Sequence, residues 1–369
     1  MTILLALFLL AAPAATAVPE PVVAVPLKFV VGKPVVSVTI NGKGPYDFFL
    51  DTGAGMTVID SDFAEELKLP VTGTTRIGDP TNPQAIEAKT ANVKRLTIGS
   101  AEFQDVEVVT WDRRDLYGGT GPRGVIGNPL FAKHLLTLDL GKGEARIARG
   151  EVAPGPDVVT YEPSEGGVFR IPVSIGDLTM EAAIDSGSPS GFALPKRYAE
   201  QLKLATPLLE VGRGRMANSE FVISSATVDA TARIGMNMFP RPVVAFNDAL
   251  PGALFGVQVL RNMVMTIDQK NRRIRLTPVV VAAAPVAAVA VGDYAGRFGI
   301  RTITAKDGDL FLQRDGGRLL KLVAVGNDEF TIDGIAGARV RFTRSAGKVT
   351  SLEVLNPAGQ WEKAPRDNE

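Results

Sequence analysis

Two segments of the chain repeat each other, and this repetition constrains the fold more than any other feature of the sequence. FFLDTGAGMTVIDSDFAEELKL begins at Phe48, and AAIDSGSPSGFALPKRYAEQLKL begins at Ala182. In each copy an apolar run, typical of a buried strand, ends at an aspartate, Asp51 or Asp185, which is followed by a Thr-Gly or Ser-Gly turn. A buried carboxylate without a partner is costly, so each aspartate must be compensated by its surroundings or used in chemistry.

The similarity continues downstream of the two aspartates. GVIGNPLFAKHLLTLDL from Gly124 resembles ALFGVQVLRNMVMTIDQ from Ala253, and an Ile-Gly pair precedes each of these segments. Four matches in the same order predict an internal duplication, with two lobes over residues 18–150 and 151–278. Most of both lobes reads as strands separated by Gly, Asn, Asp and Pro. Only short helices are predicted, at Asp62 to Leu69 and Lys196 to Leu204.

Two further regions follow the predicted lobes. Residues 279–291 are rich in Ala, Pro and Val, which predicts a linker because the stretch is too short to span a membrane. Residues 292–369 contain short strands separated by Asp-Gly, Gly-Gly and Asn-Asp turns, which predicts a small C-terminal all-β domain.

The first residues, MTILLALFLLAAPAATAVPEP, are typical of a secretory signal. A short apolar core is interrupted at Pro13, and small residues stand where cleavage would occur, so residues 1–17 are predicted to be a signal peptide. The alternative is an uncleaved anchor, for which the apolar stretch is short. We therefore expect an exported protein, periplasmic or extracellular.

Composition narrows the chemistry that the chain can perform. The sequence has no cysteine and one histidine, His134, which excludes cysteine nucleophiles, disulfides and metal sites that need thiolates or two histidines. Lys and Arg together number 40, as do Asp and Glu, so charge gives no reason to expect a nucleic-acid partner. Carboxylates are the groups left to carry a reaction.

At Asp51 and Asp185 the sequence resembles the aspartic peptidases, the pepsin and retropepsin group. The resemblance covers roughly residues 28–276 and includes an apolar-apolar-Gly segment late in each lobe. By this resemblance Asp51 and Asp185 are the catalytic pair. The remaining family positions fall on two supporting loops, Thr52, Gly53 and Ala54 with Ser186, Gly187 and Ser188, and on the crossing segments, Ile126 and Gly127 with Phe255 and Gly256.

The resemblance implies a mostly β protein, with two duplicated acid-protease β-barrel lobes around a central cleft. In the family, two carboxylates share a proton and activate one water for attack on a peptide bond. The expected partner is a peptide or protein bound in extended form. No metal or organic cofactor is implied, and a monomer is expected because one chain supplies both lobes.

The sequence also departs from the family pattern. Residues 71–93, where a pepsin-like flap would lie, contain no tyrosine. Pro189 is unusual within DSGSPSG, where it could distort the second loop. Ser188 is able to hydrogen-bond its own aspartate, whereas Ala54 is not. Three alternatives stay open: aspartates that serve only as turn residues, an inactive peptide- or envelope-binding protein with this fold, and a function carried mainly by the C-terminal domain.

Overall fold

The computed structural model describes residues 22–77, 86–112, 121–162, 164, 166–215, 220–279, 291–326, 328–335, 338–355 and 361–367. Over these residues the chain is mostly β-structure, which confirms the predicted fold class at that level. The predicted signal segment and nearly all of the predicted linker lie outside the described residues. No helix in the described part of the chain combines the length and apolar character needed to cross a membrane.

The first part of the chain builds an eight-stranded N-terminal sheet and three strands of a neighbouring sheet. Its helices are α1 (Ser61–Glu66) and one 3₁₀ helix (Asn128–Phe131). Its strands are β1 (Val23–Pro26), β2 (Lys28–Val30), β3 (Lys33–Ile40), β4 (Lys43–Leu50), β5 (Val58–Asp60), β6 (Val71–Ile77), β7 (Ile86–Ile98), β8 (Ala101–Trp111), β9 (Gly124–Ile126), β10 (Leu135–Asp139) and β11 (Glu144–Ala148).

The second part of the chain builds a nine-stranded central sheet and the other three strands of the neighbouring sheet. Its helices are a 3₁₀ helix (Lys196–Tyr198) and α2 (Val257–Leu260). Its strands are β12 (Val158–Thr160), β13 (Arg170–Ile175), β14 (Leu178–Ile184), β15 (Phe192–Pro195), β16 (Leu209–Arg215), β17 (Glu220–Thr227), β18 (Thr231–Ile234), β19 (Asn237–Pro240), β20 (Val243–Asn247), β21 (Ala253–Phe255), β22 (Met263–Asp268) and β23 (Arg273–Pro278).

The strand that precedes each aspartate has the same neighbours in both sheets. In the N-terminal sheet β4 pairs in parallel with β9, β9 pairs antiparallel with β5, and β5 pairs in parallel with β8. In the central sheet β14, β21, β15 and β20 repeat these three pairings in the same order and with the same directions. The short strands β9 and β21 contain the apolar residues of the two apolar-apolar-Gly segments, and the glycine follows each strand directly. These segments therefore run beside the strands that end just before Asp51 and Asp185.

The predicted helices differ in how far they form. Helix α1 forms at the predicted place, because the Asp60 side chain caps its first turn and accepts a hydrogen bond from the Phe63 amide (3.4 Å). The predicted helix from Lys196 to Leu204 is limited to one 3₁₀ turn. The chain after that turn is held against β17, because Leu204 pairs with Val228 and the Ala205 amide donates to Thr227 O (2.7 Å).

A six-stranded sheet joins the two parts of the chain, in the order β1-β11-β10-β22-β23-β12. At its centre β10 pairs with β22, so that Thr137 lies opposite Thr266 and Leu136 opposite Ile267. The two threonine hydroxyls are 3.0 Å apart and share a hydrogen bond. Thr137 and Thr266 are matching residues of the sequence repeat, so equivalent positions of the two halves lie opposite each other in this strand pair. One continuous hydrophobic core extends through both halves.

The end of the chain forms a C-terminal barrel of eight consecutive antiparallel strands. After β31 the Asp367 amide donates to Arg297 O of β24 (2.9 Å), so the sheet nearly closes on itself. A separate core rich in aromatic residues fills the interior. The elements are a 3₁₀ helix (Val291–Tyr294) and β24 (Gly296–Phe298), β25 (Arg301–Lys306), β26 (Asp309–Arg314), β27 (Leu319–Gly326), β28 (Glu329–Ile332), β29 (Arg339–Ser345), β30 (Lys348–Leu355) and β31 (Trp361–Pro365).

A buried threonine of the central sheet anchors the barrel. Thr227 ends β17 and is 3% exposed. Its hydroxyl donates to Asp333 Oδ1 (2.7 Å) and accepts from the Gly334 amide (3.1 Å). The Thr227 amide in turn donates to Thr206 Oγ1 (2.9 Å). The barrel is thus attached at the base of the β16–β17 hairpin by buried and half-buried polar contacts.

This anchor predicts the effect of replacing Thr227 with valine, which has the same shape but no hydroxyl. Thr227→Val leaves the Gly334 amide without its acceptor, at a cost of about 1–3 kcal/mol. Hydrogen exchange at that amide should then accelerate by roughly 5- to 100-fold. Thr350→Val, which removes an exposed hydroxyl of the barrel, is the matched control. Unchanged exchange at Gly334 would show that Thr227 does not anchor the barrel.

Candidate active site

The two aspartates stand at equivalent ends of buried strands. Residues just before them are almost fully buried, with Leu50 2% and Ile184 0% exposed. The Asp51 amide donates to Ile126 O (3.0 Å), and the Asp185 amide donates to Phe255 O (3.1 Å). The crossing segments predicted from the sequence therefore hold the backbone of both aspartates.

The two aspartate loops are joined by reciprocal hydrogen bonds. The Thr52 amide donates to Ser186 Oγ (2.9 Å), and the Ser186 amide donates to Thr52 Oγ1 (3.0 Å). Each hydroxyl also donates to a strand of the opposite half, Thr52 to Ile184 O (2.9 Å) and Ser186 to Leu50 O (2.7 Å). Both side chains are at most 1% exposed. We call these four bonds the loop brace.

The loop brace brings the two carboxyl groups together. The Gly53 amide donates to Asp51 Oδ1 (2.8 Å), and a Cβ atom on Gly53 would lie 3.2 Å from this same oxygen, so the two carboxyl groups face each other across Gly53. A Cβ atom on Gly53 would lie 2.7 Å from Asp185 Oδ1, and one on Gly187 would overlap the Asp51 carboxyl. Each glycine thus lies against the carboxyl of the opposite loop, where any side chain would force the pair apart.

The environment of the pair favours a shared proton. Burial of its carboxyl, followed by the negative charge of Asp51, raises the pKa of Asp185 to about 8. The Lys33 ammonium and the Gly187 amide act in the opposite direction and favour the ionised form. Asp185 keeps some exposed surface as a residue, but its carboxyl is enclosed by the two loops. The pair therefore retains one proton near neutral pH, because two adjacent carboxylates repel each other.

The outer positions of the predicted site lie where the crossing segments meet the loops. Ala54 O accepts from the Asn128 amide, and Ser188 O accepts from the Val257 amide (2.9 Å each). A Cβ atom on Gly127 would overlap Met56 O, and one on Gly256 would lie 2.5 Å from Ser188 O. The glycines of these segments are required because backbone approaches backbone at these points.

Two expectations about the second loop change. The Ser188 hydroxyl is paired with Ser190 Oγ (2.7 Å), within its own loop, instead of with Asp185. Pro189 does not displace the loop: the Ser188 amide donates to Asp185 O (3.2 Å), as the Ala54 amide does to Asp51 O (3.3 Å). The two turns are therefore closely similar.

Sequence reasoning missed three contributors to the site. Asn128 Nδ2 donates to Thr52 O (2.6 Å) and to Gly167 O (3.2 Å). Gln258 Nε2 donates to Pro189 O (2.8 Å). Both amides follow a Gly of the crossing segments within two residues, and this position in the repeat was the signal that could have found them. Lys33 lies in a different hairpin, and no motif marks it.

Other possible reactive groups lie elsewhere. His134, directly before β10, packs its ring edge-on against Phe103, with ring centres 5.1 Å apart. Among the described residues, no group of three or more His, Asp or Glu side chains is arranged to hold a metal ion.

Residues 36–130 match the family model described as aspartyl protease. This segment contains Asp51 and its whole supporting loop, together with the first crossing segment. Residues 36–130 are therefore similar to the aspartyl protease family, which supports the resemblance seen in the sequence at the level of the family. No curated protein matches the chain.

The loop brace predicts a strong dependence of stability on the Thr52 hydroxyl. Thr52→Val preserves the side-chain shape but leaves the Ser186 amide and Ile184 O without partners in a buried site. At about 1–3 kcal/mol for each group, the free energy of unfolding should fall by roughly 2–5 kcal/mol. Thr52→Ser keeps the hydroxyl and should lose only about 1 kcal/mol for one methyl group. Equal losses in urea unfolding of the two variants would contradict the brace.

The raised pKa of Asp185 predicts how its replacement changes stability with pH. The unfolded chain releases the Asp185 proton near the ordinary pKa of 3.8, whereas the folded protein keeps it until about pH 8. The stabilisation from this group is therefore complete below about pH 4 and is lost as the pH rises to about 8. In Asp185→Asn the side chain no longer titrates, so this pH-dependent loss of stability disappears. Its melting temperature should therefore rise relative to the unmodified protein across this window. Asp177→Asn, at an exposed turn, is the control, and a difference independent of pH would refute the shift.

Proposed function

We propose that the chain is an aspartic-type endopeptidase that hydrolyses peptide bonds with a water activated between Asp51 and Asp185. The observation that carries this proposal is the pair of adjacent carboxyl groups held by the reciprocal Thr52–Ser186 bonds. A turn aspartate needs no such partner, and the aspartyl protease family match over residues 36–130 supports the same reading.

The two aspartates take different roles in the proposed reaction. The raised pKa of Asp185 keeps this carboxyl protonated near neutral pH, so it donates a proton to the carbonyl oxygen of the substrate. Asp51 acts as the base that takes a proton from the attacking water. Asp51 then passes the proton it took from water to the nitrogen of the tetrahedral intermediate, while Asp185, now ionised, takes a proton back from a hydroxyl of the intermediate. The carbon–nitrogen bond breaks, the dyad regains its single proton on Asp185, and no covalent enzyme intermediate forms.

We further propose that the two halves are duplicated acid-protease lobes. The repeated pairings around β9 and β21, and the meeting of Thr137 with its counterpart Thr266, support this origin. Because one chain supplies both aspartates, a monomer is sufficient. The substrate is a peptide or protein bound in extended form, with backbone hydrogen bonds like those of an added strand. The terminal strands β6 and β16 leave such edges in both sheets.

The proposal includes export of the protein. Residues 1–17 would direct it to the periplasm or the cell exterior and be removed there. No metal or organic cofactor takes part in the proposed reaction. Residues 279–291 would then link the second lobe to the C-terminal barrel.

Proteolysis should depend on each aspartate separately. Asp51→Asn and Asp185→Asn should each lower the rate of casein or peptide-library cleavage by about a thousandfold or more, because the proton transfers are lost while the fold remains. Asp177→Asn, the same change at an exposed turn, should cleave like the unmodified protein. Assays at acidic and neutral pH, with and without pepstatin, provide the measurement.

The outcome also separates the rival functions. Cleavage that persists in either dyad variant would refute the proposed mechanism. If the unmodified protein cleaves no peptide at any pH, and peptide binding survives in both dyad variants, the chain is a non-catalytic peptide- or envelope-binding protein. Activity or binding unaffected by truncation after Pro278 would exclude the C-terminal barrel as the functional part.

A further inference from the structure

The β2–β3 hairpin of the first half reaches the aspartate loop of the second half. Its turn contains Val31 (φ 45°) and Gly32 (φ 77°), both in the left-handed region. A Cβ atom on Gly32 would lie 3.0 Å from Pro189 Cβ. The turn therefore rests on the loop that follows Asp185, and the next residue along the chain is Lys33.

The strand register places Lys33 beside the carboxyl pair. Val35 of β3 lies opposite Phe49 of β4. Continuing this antiparallel register by two residues on each strand brings Lys33 opposite Asp51, on the same face of the sheet. The Lys33 ammonium lies 5.6 Å from the centre of the Phe49 ring, which supports its direction along this face. Lys33 is half-buried, so solvent screens its charge only partly.

The second half has no counterpart of this charge. There Arg170 of β13 lies opposite Ala183 of β14, and continuing the register by two residues brings Val168 opposite Asp185. The matching position is thus an apolar residue. The carboxyl pair is symmetric in its backbone, but of these two matching positions only that of the first half holds a cation.

We propose that Lys33 is a positioning residue that sets the pH range over which the Asp51–Asp185 pair holds a single proton. The charged and polar groups that face Asp185 are Asp51 from the opposite loop, Lys33 from the β2–β3 hairpin and the Gly187 amide of its own loop. Burial and the charge of Asp51 favour the protonated form. Lys33 is the one cation among these groups, and its charge favours release of the proton.

The functional consequence concerns the working pH of the site. This inference rests on the proposed function, because a singly protonated pair is the form that activates water. Loss of the Lys33 charge strengthens proton binding by the pair, so the active range moves to higher pH. An opposite charge within about 4–6 Å of a carboxyl lowers its pKa by about 1–3 units, and the partial exposure of Lys33 puts the expected shift at the lower end of this range.

The experiment compares Lys33→Met, which keeps an unbranched apolar stem, with Lys33→Arg, which keeps the charge. The pH profile of kcat/KM for peptide cleavage should move upward by about one pH unit in Lys33→Met and return toward its original position in Lys33→Arg. Lys43→Met, at an exposed position of β4, should leave the profile in place. A lower rate without any movement of the profile would overturn the proposal, because it would indicate a purely structural role.

A second measurement decides the inference even if the chain cleaves no peptide. Carbon-13 labelling of aspartate carboxyls allows the titration of Asp185 to be followed by NMR, with its resonance assigned by its loss in Asp185→Asn. The midpoint should rise by about one pH unit in Lys33→Met. An unchanged midpoint would overturn the role of Lys33. Absence of cleavage with a shifted midpoint would refute the peptidase function alone.

Discussion

The reciprocal bonds between Thr52 and Ser186 are the interaction on which the rest of the site depends. Each residue donates its amide to the hydroxyl of the other, and each hydroxyl donates to the strand that carries the opposite aspartate. A displacement of either half would leave buried polar groups without partners. Because such groups cost about 1–3 kcal/mol each, the arrangement tolerates little movement. The separation of Asp51 and Asp185 is thereby fixed by backbone and hydroxyl contacts, and the carboxyl groups need not hold themselves together.

The six-stranded sheet that joins the two halves also holds the aspartate loops in this arrangement. Thr137 and Thr266 meet at its centre, and the strands on either side follow in matching order. A continuous apolar core extends across this contact, so the two halves behave as one packed unit. Repulsion between the carboxyl groups therefore acts on a rigid frame. This repulsion raises the proton affinity of Asp185, because the packed halves do not move apart.

The sequence repeat was sufficient to predict the paired loops, the crossing segments and the β-rich character, because these depend on local patterns that occur twice. Contacts made through the tertiary fold were not predictable in this way. Gln258 reaches Pro189 through a side chain whose direction is set by α2, and the brief turn after Lys196 ends because the chain joins β17. In the sequence nothing distinguishes Thr227 from other strand residues, because its role depends on Asp333, which the fold of the barrel places beside it.

The two halves differ in the side chains that surround the aspartate pair. The backbone around each aspartate is nearly the same, because the Asp51 and Asp185 amides donate matching hydrogen bonds to Ile126 O and Phe255 O. The side chains around the two aspartates differ, because Lys33 and Val168 occupy matching positions beside the pair. Burial and the charge of Asp51 both favour the protonated form of Asp185, whereas the nearby Lys33 cation opposes it. The proton affinity of the pair is thus a balance between an enclosure built by both halves and a charge supplied by one hairpin.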